Sequence, residues 1–185
     1  NRKELDEDLK EALKYGHAHM TSKWDAVEAH GMEADDLVAI WAYEARELEK
    51  PYFIVGIDKD LLQIPGNHYN FNKKEHSFVD DDAADFNLHI QCLIGDTSDN
   101  IPGIKGIGKV KATKILNGIP MGDRYKHVEK AWLDHKAGDP GITKRLLTML
   151  KSWKEYDDIR QQIQDEASVC EQDVRSEGQE DIQKS

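Results

Sequence analysis

The sequence has little cysteine and no cysteine motif. Cys92 and Cys170 stand far apart with no metal-ligand or redox spacing, which excludes a thiolate metal site and makes a reducing compartment the default. Both read as bystanders. The eight histidines likewise fall at no ligand spacing and are expected at the surface or in packing. No apolar run approaches the length of a membrane span, and the opening residues Asn1-Arg2-Lys3 form no signal-peptide pattern, so no membrane partner is expected. What is present, 38% hydrophobic and 33% charged residues over 185 positions, suits one domain with a core plus some sequence that stays unfolded.

The net charge of −11 is unevenly spread. Residues 1–100 carry 10 basic against 22 acidic side chains, residues 101–151 carry 11 against 4, and residues 152–185 carry 4 against 10, for nets of −12, +7 and −6. An acidic half followed by a basic segment suits a protein that binds cations in one place and phosphates in another.

Periodicity supplies the elements. Leu5, Leu9, Ala12 and Leu13 recur at helical spacing from about Glu4 to His17. A short strand is expected from about Trp24 to Ala29. Gly31 then leads into Met32-Glu33-Ala34-Asp35-Asp36, the start of a helix that runs to about Glu49 and is stopped by Pro51. Tyr52–Ile57 is the clearest strand, apolar on both faces as in a parallel sheet, and it ends in Asp58-Lys59-Asp60. Segments at about 68–71 and 76–79 read as a hairpin around Asn72–Glu75. A helix from Asp80–Asp82 to Ile94 follows, then one from Lys109 to Asn117 ending at Gly118, then one or two helices between Tyr125 and Ile163. From about Asp165 the chain is polar and aperiodic and is expected to be disordered. Trp24, Trp41, Trp132 and Trp153 are expected in the core.

The stretch around which the rest is organised is Gly95-Asp96-Thr97-Ser98-Asp99-Asn100-Ile101-Pro102-Gly103-Ile104-Lys105-Gly106-Ile107-Gly108-Lys109. Gly103, Gly106 and Gly108 can take positive φ and let backbone N–H groups approach a phosphate, while Ile104 and Ile107 are expected to point into a small core. Lys105, Lys109, Lys111 and Lys114 surround the turn without an acid among them, and the following helix aims its N-terminal amides at the same place. A helix-hairpin-helix gripping a DNA backbone has this pattern. An ordinary helix-to-helix turn with solvated lysines shares it.

Glu33, Asp35, Asp36, Asp58, Asp60, Asp96 and Asp99 are seven carboxylates at a helix start, a strand end and a loop. Converging on one pocket they could not all remain ionised without cations. An all-oxygen set favours Mg²⁺ or Mn²⁺, and two such ions would clamp a scissile phosphate. Period-two geometry places Asp58 and Asp60 on one side of an extended chain and Lys59 on the other, so Lys59 is assigned no catalytic role. Taken singly, E-x-D-D reads as a helix cap and D-x-D as a turn. Three such features in this order, followed by the glycine turn, are hard to obtain by accident.

Met32–Asp36, Gly56-Ile57-Asp58-Lys59-Asp60-Leu61 and Gly95–Gly108 resemble the consecutive motifs of the 5′ nuclease family, which includes bacteriophage 5′–3′ exonucleases, flap endonucleases and the 5′ nuclease domain of bacterial DNA polymerase I. The resemblance covers about residues 1–118. It implies a two-metal enzyme that cuts 5′ flaps, nicks or RNA primers in replication or repair. Glu33, Asp35 and Asp58 would serve one ion, Asp60, Asp96 and Asp99 the other, with Asp36 close behind. The turn Gly103–Gly108 would hold duplex DNA, often with K⁺, and Asn1-Arg2 resembles the end of a basic arch, which makes Arg2 a further DNA-contact candidate. The implied location is cytoplasmic, the host cytoplasm if the chain is phage-encoded.

The implied architecture is α/β. Part of a parallel-sheet, PIN-like nuclease core occupies 1–94, a helix-hairpin-helix region 95–120, C-terminal helices 121–164 and an acidic tail 165–185. Two parallel strands cannot make a doubly covered sheet. Family members also begin with a strand carrying a metal-binding aspartate, and a second aspartate precedes the arch. The expectation is therefore a C-terminal portion of a 5′ nuclease, completed by a longer chain or a separate N-terminal partner, with weak or no activity alone. The alternative is a non-catalytic, structure-selective DNA-binding protein that retains the hairpin.

Overall fold

The structure, a computed structural model, describes residues 6–165. Arg2 and almost all of the expected tail lie outside the described residues. The first helix, α1 (Glu7–Trp24), is opened by Asp6, whose carboxylate accepts the Asp8 N–H at 3.1 Å. Gly16 does not interrupt it, and the chain stays helical until Asp25 turns left-handed (φ 52°) and donates its N–H to the Met20 carbonyl. The strand expected at Trp24–Ala29 is therefore absent: Trp24 ends α1, and residues 25–29 are neither helix nor strand. None of α1 is buried.

Helix α2 (Ala34–Glu47) packs Ala39, Ile40 and Ala42 inward and leaves Asp35 and Asp36 in its first turn, where the helix dipole favours negative charge. Strand β1 (Phe53–Val55) is shorter than expected. Its parallel partner is the first strand of the hairpin, β2 (Gly66–Asn70), with Ile54 opposite His68. β2 then pairs antiparallel with β3 (Glu75–Val79), so the described sheet is mixed, in the order β1-β2-β3. The hairpin turn falls where the sequence puts it, between Asn70 and Glu75.

Helix α3 (Asp81–Ile94), capped by Asp80, is the spine of the remainder. Against it pack α4 (Lys109–Leu116), α5 (Arg124–Asp134) and α6 (Pro140–Leu147), and residues 153–165 are also helical. Arg124 is 4% exposed and ties α5 to the start of α3 through Asp82 at 2.7 Å and Asp85 at 2.9 Å. The main core joins Ile90, Leu93, Ile104, Leu116, Val128 and Trp132, and the Trp132 indole donates to the Cys92 carbonyl at 3.0 Å. Burial pushes the Cys92 thiol up to about 12, so it is inert, as a bystander should be. A smaller core under the sheet joins Ala39, Ala42, Ile54, Ile64 and Met149. Of the four tryptophans only Trp132 is core. Trp24, Trp41 and Trp153 are 71%, 44% and 43% exposed, the first at the end of a helix none of whose residues is buried. Among the described residues no helix is long and apolar enough to cross a membrane.

Where α3 ends, two backbone segments pass in contact. A Cβ on Gly103 would overlap the Ile94 carbonyl carbon and oxygen, and one on Gly95 would overlap Gly103 N and Ile101 O. Gly103 is thus required by close approach, not by the positive φ read from sequence. Gly106 alone of Gly103, Gly106 and Gly108 has positive φ (82°), with open space around it. Gly103→Ala should therefore cost about 1–3 kcal/mol or more through backbone displacement, and Gly106→Ala about 1–2 kcal/mol through left-handed strain alone. Thermal unfolding of the two variants checks the order; equal losses would mean that the crossing is looser than described.

Candidate functional site

The loop after α3 is closed by a pair of backbone hydrogen bonds, Asp96 N–H to Ile101 O at 2.9 Å and Ile101 N–H to Asp96 O at 2.7 Å. Within it Asp96 is 4% exposed; one oxygen accepts the Ser98 N–H at 2.7 Å and the other the Lys59 ammonium at 2.5 Å. Asp60 and Asp99 approach from either side, and one oxygen of each of the three carboxylates lies within 4.8 Å of the others. That is a spacing a hard cation can bridge, and the donor set is oxygen only, which fits Mg²⁺ or Mn²⁺ better than zinc.

The other candidates divide. Glu33, Asp35, Asp36, Asp60 and Asp99 line one cavity of about 990 Å³ between the start of α2, the loop and the end of α6. Asp36 is further engaged, accepting the Leu150 N–H at 2.8 Å. Asp58 stands apart from this lining. The strand has ended by Val55, and the chain at Asp58–Asp60 is not extended: Asp58 accepts the Asp60 N–H at 2.9 Å and turns it into a 3₁₀ segment, Asp60–Gln63. The period-two argument for Asp58 and Asp60 therefore fails, and with it the expectation that Lys59 points away from them. The turn brings Lys59 Nζ onto Asp96 and to 3.4 Å from Asp60, inside the acidic cluster instead of away from it.

Charge and burial set the acids apart. Burial raises the Asp35 carboxyl above its ordinary range, and the neighbouring charges of Asp36 and Asp58 push the same way. Burial also raises Asp60, helped by Asp58 and Asp96, with Lys59 opposing. Asp96 is held below the usual range by its hydrogen bond to Lys59, despite burial, with help from Ser98. Burial alone would lower Lys59, but its bonds and charge contacts with Asp96 and Asp60 raise it.

On the far side of the crossing, Ile104 and Ile107 are buried as expected, at 3% and 8% exposure, and turn Lys105 and Gly106 outward. Gly108 is the extended residue before α4, whose first amides point from the turn; Lys109, Lys111 and Lys114 are exposed around it, and Lys111 folds back to the Gly106 carbonyl at 2.8 Å. Sequence reasoning missed Arg145, Arg160 and Gln63, which line the acidic cavity, and Gln91, whose amide oxygen accepts from Gln63. The surplus of basic residues in 101–151 was the only signal for Arg145. Nothing in the pattern marked Gln91.

The architecture has solved counterparts. A bacteriophage T5 D15 flap endonuclease, described as a pseudo-enzyme-product complex with DNA and metal ions, matches at a TM-score of 0.57 and 16% identity, covering 78% of this chain and 62% of that one. The fold is therefore of the kind that T5 nuclease has. In sequence, 108 residues are 36% identical to a DNA polymerase I of Borreliella burgdorferi, covering 52% of this chain and 12% of the relative. A flap endonuclease Xni of Shewanella amazonensis is 32% identical over 135 residues, 62% of this chain and 53% of the relative. The chain thus spans between about a tenth and about half of these relatives. Residues 1–87 match the family model described as 5′–3′ exonuclease, N-terminal resolvase-like domain, a likeness that extends over just under half of the chain.

The Lys59 contact yields a test. Lys59→Met leaves a buried carboxylate with one hydrogen bond fewer, a loss of about 1–3 kcal/mol. Melting in chelator should show that loss, and added Mn²⁺ should recover much of it by replacing the missing positive charge. A loss that Mn²⁺ leaves unchanged would separate Lys59 from the cluster.

Proposed function

We propose that the chain carries the metal-binding and DNA-gripping parts of a 5′ nuclease, a 5′–3′ exonuclease or flap endonuclease acting on DNA or RNA-primer ends in replication or repair. One observation carries the reading: the carboxylates Asp60, Asp96 and Asp99 and the lysine-bearing turn 103–109 sit on the two sides of a single backbone crossing. A phosphate held by the turn is thereby kept at a fixed offset from the acids. The relatives named 5′–3′ exonuclease, flap endonuclease and DNA polymerase I supply the substrate class.

Asp60, Asp96 and Asp99 would hold one divalent ion, and Glu33 and Asp35 with Asp58 would hold a second, Asp36 supporting them from its bond to Leu150. Bound there, Mg²⁺ or Mn²⁺ supplies an activated water and stabilises the leaving oxygen of the phosphodiester. The chain's own residues do the rest. Asp35 and Asp36 of the first turn of α2 and Asp99 of the loop line the same cavity, and Arg145 and Arg160, which also line it, offer positive charge to phosphate oxygens. Lys105, Lys109, Lys111 and Lys114, with the first amides of α4, grip the backbone of duplex DNA without reading sequence, in the manner of a helix-hairpin-helix, with K⁺ at the turn by resemblance.

The sheet supports a further part of the reading. Among the described residues β1 is paired on one side only, and Phe53, Val55 and Ile57 are 62%, 61% and 56% exposed. A strand-bearing N-terminal segment, from a longer chain or a separate partner, would cover them and add acids to the site.

Cleavage of a 5′-flap duplex in Mg²⁺ by this chain, with and without such a segment, tests the proposal. Asp58→Ala should lower cleavage by about 10²-fold or more while DNA binding persists. Flap binding without cleavage under every condition would favour a non-catalytic DNA-binding protein instead. Separately, Lys105→Ala and Lys109→Ala should each reduce the slope of log affinity against log salt by about 1. An unchanged slope would remove the turn from the DNA interface.

A further inference from the structure

Asp60 has a partner that neither its motif nor its charge explains. Gln91, on the buried face of α3 and 6% exposed, donates from its side-chain nitrogen to the Asp60 carboxylate. Its side-chain oxygen accepts from the nitrogen of Gln63, and that same nitrogen donates to the Leu147 carbonyl at 3.0 Å. The direction of this chain is forced. A carboxylate only accepts, so Gln91 must turn its NH₂ to Asp60 and its oxygen to Gln63; Gln63 must then offer its own NH₂, whose second hydrogen meets a carbonyl that can only accept.

Position 91 lies in the last turns of α3, where His89 to Leu93 are buried on every side, and an aliphatic side chain there would fold with no polar atom to satisfy. An amide there is costly unless its bonds do something a leucine cannot. Here they orient one acid, and the relay ends on Leu147, the last residue of α6. Three residues on, the Leu150 N–H holds Asp36 at 2.8 Å. The segment Leu147–Leu150 is thus tied at one end to the Asp60 side of the cavity and at the other to the α2 side.

We infer that Gln91, acting through Gln63 and the Leu147–Leu150 segment, is a positioning residue that fixes the orientation of Asp60 and its spacing from the acids of α2. The inference rests on the metal reading proposed above. Groups that orient metal-binding carboxylates change ion affinity by about 10–100-fold when removed, while replacing both members of a buried amide pair by apolar side chains of similar shape can be nearly neutral to folding. The two effects therefore separate in one variant.

Mn²⁺ binding, followed by electron paramagnetic resonance of the free ion, is measured on the parent chain, Gln91→Met, Gln63→Met and the Gln63→Met/Gln91→Met double variant, with melting temperatures taken in chelator. The double variant should bind Mn²⁺ about tenfold more weakly with a melting temperature close to the parent's, and each single variant should weaken binding to a similar degree. Parent-like affinity in a folded Gln91→Met overturns the positioning role and leaves the metal reading standing. Affinity and melting temperature falling together in the double variant also overturn it, since the two amides would then be structural only. A parent chain that binds no Mn²⁺ overturns the metal reading and this inference with it. If Gln91→Met does not fold, the half-buried Gln63→Met carries the same outcomes.

Discussion

The backbone crossing of Gly95 and Gly103 is the constraint on which the rest of the structure depends. α3 can end against its own downstream chain only because neither residue carries a Cβ, and the contact is locked by the Ile104 N–H donating to the Leu93 carbonyl at 2.9 Å. The chain between the two glycines has no freedom to be anything but a closed loop. That loop presents Asp96 and Asp99 on one side. The chain beyond it, anchored by Ile104 and Ile107 in the main core, presents the lysine turn on the other. Separation between acids and lysines is thereby set by covalent and steric geometry, which does not soften with salt or pH as a charge contact would.

The sheet half and the helical half meet through several polar links, and three of them pass through the acids. Lys59 reaches from the end of β1 to Asp96, Gln91 reaches from α3 to Asp60, and Leu150 reaches from beyond α6 to Asp36. The apolar contribution is Met149, which enters the small core beneath the sheet. The site is therefore a seam between two packed regions. Its acids serve as fastening points as well as candidate ligands, so substitutions there move stability and chemistry together unless, as at Gln91, the replacement keeps the apolar packing.

Helices α2 to α5 and the hairpin were legible because their information is local: the acidic helix start at Asp80–Asp82, the breaker at Pro51, and apolar spacing, whereas the one or two helices expected between Tyr125 and Ile163 are three, α5, α6 and residues 153–165. The strand at Trp24–Ala29 was misread because β propensity without a neighbouring strand to pair with carries no stabilisation. α1 simply continues until Asp25 takes the left-handed conformation that ends it. Asp58, Lys59 and Asp60 were misplaced for a related reason. An Asx turn cost the chain its extended geometry two residues after the strand stopped, so alternation no longer governed which way side chains point. The acids themselves were found because the motifs list them. Lys59, Gln63, Gln91 and Leu150 were not, since each acquires its meaning from a partner 28 to 114 residues away.

Under the proposed function, the electrostatics of the seam explain how one acidic chain would serve a polyanion. A phosphate drawn to Lys105 and Lys109 is carried toward Asp60, Asp96 and Asp99, which repel it. Lys59 offsets one of those charges by holding Asp96 low, while burial holds Asp35 and Asp60 high. Divalent cations would relieve both the repulsion among the acids and that between acids and phosphate. Under the proposed function, cation and nucleic acid therefore favour each other's binding. Because the glycine crossing fixes the distance between their sites, that coupling is a property of the backbone and needs no conformational change to transmit it.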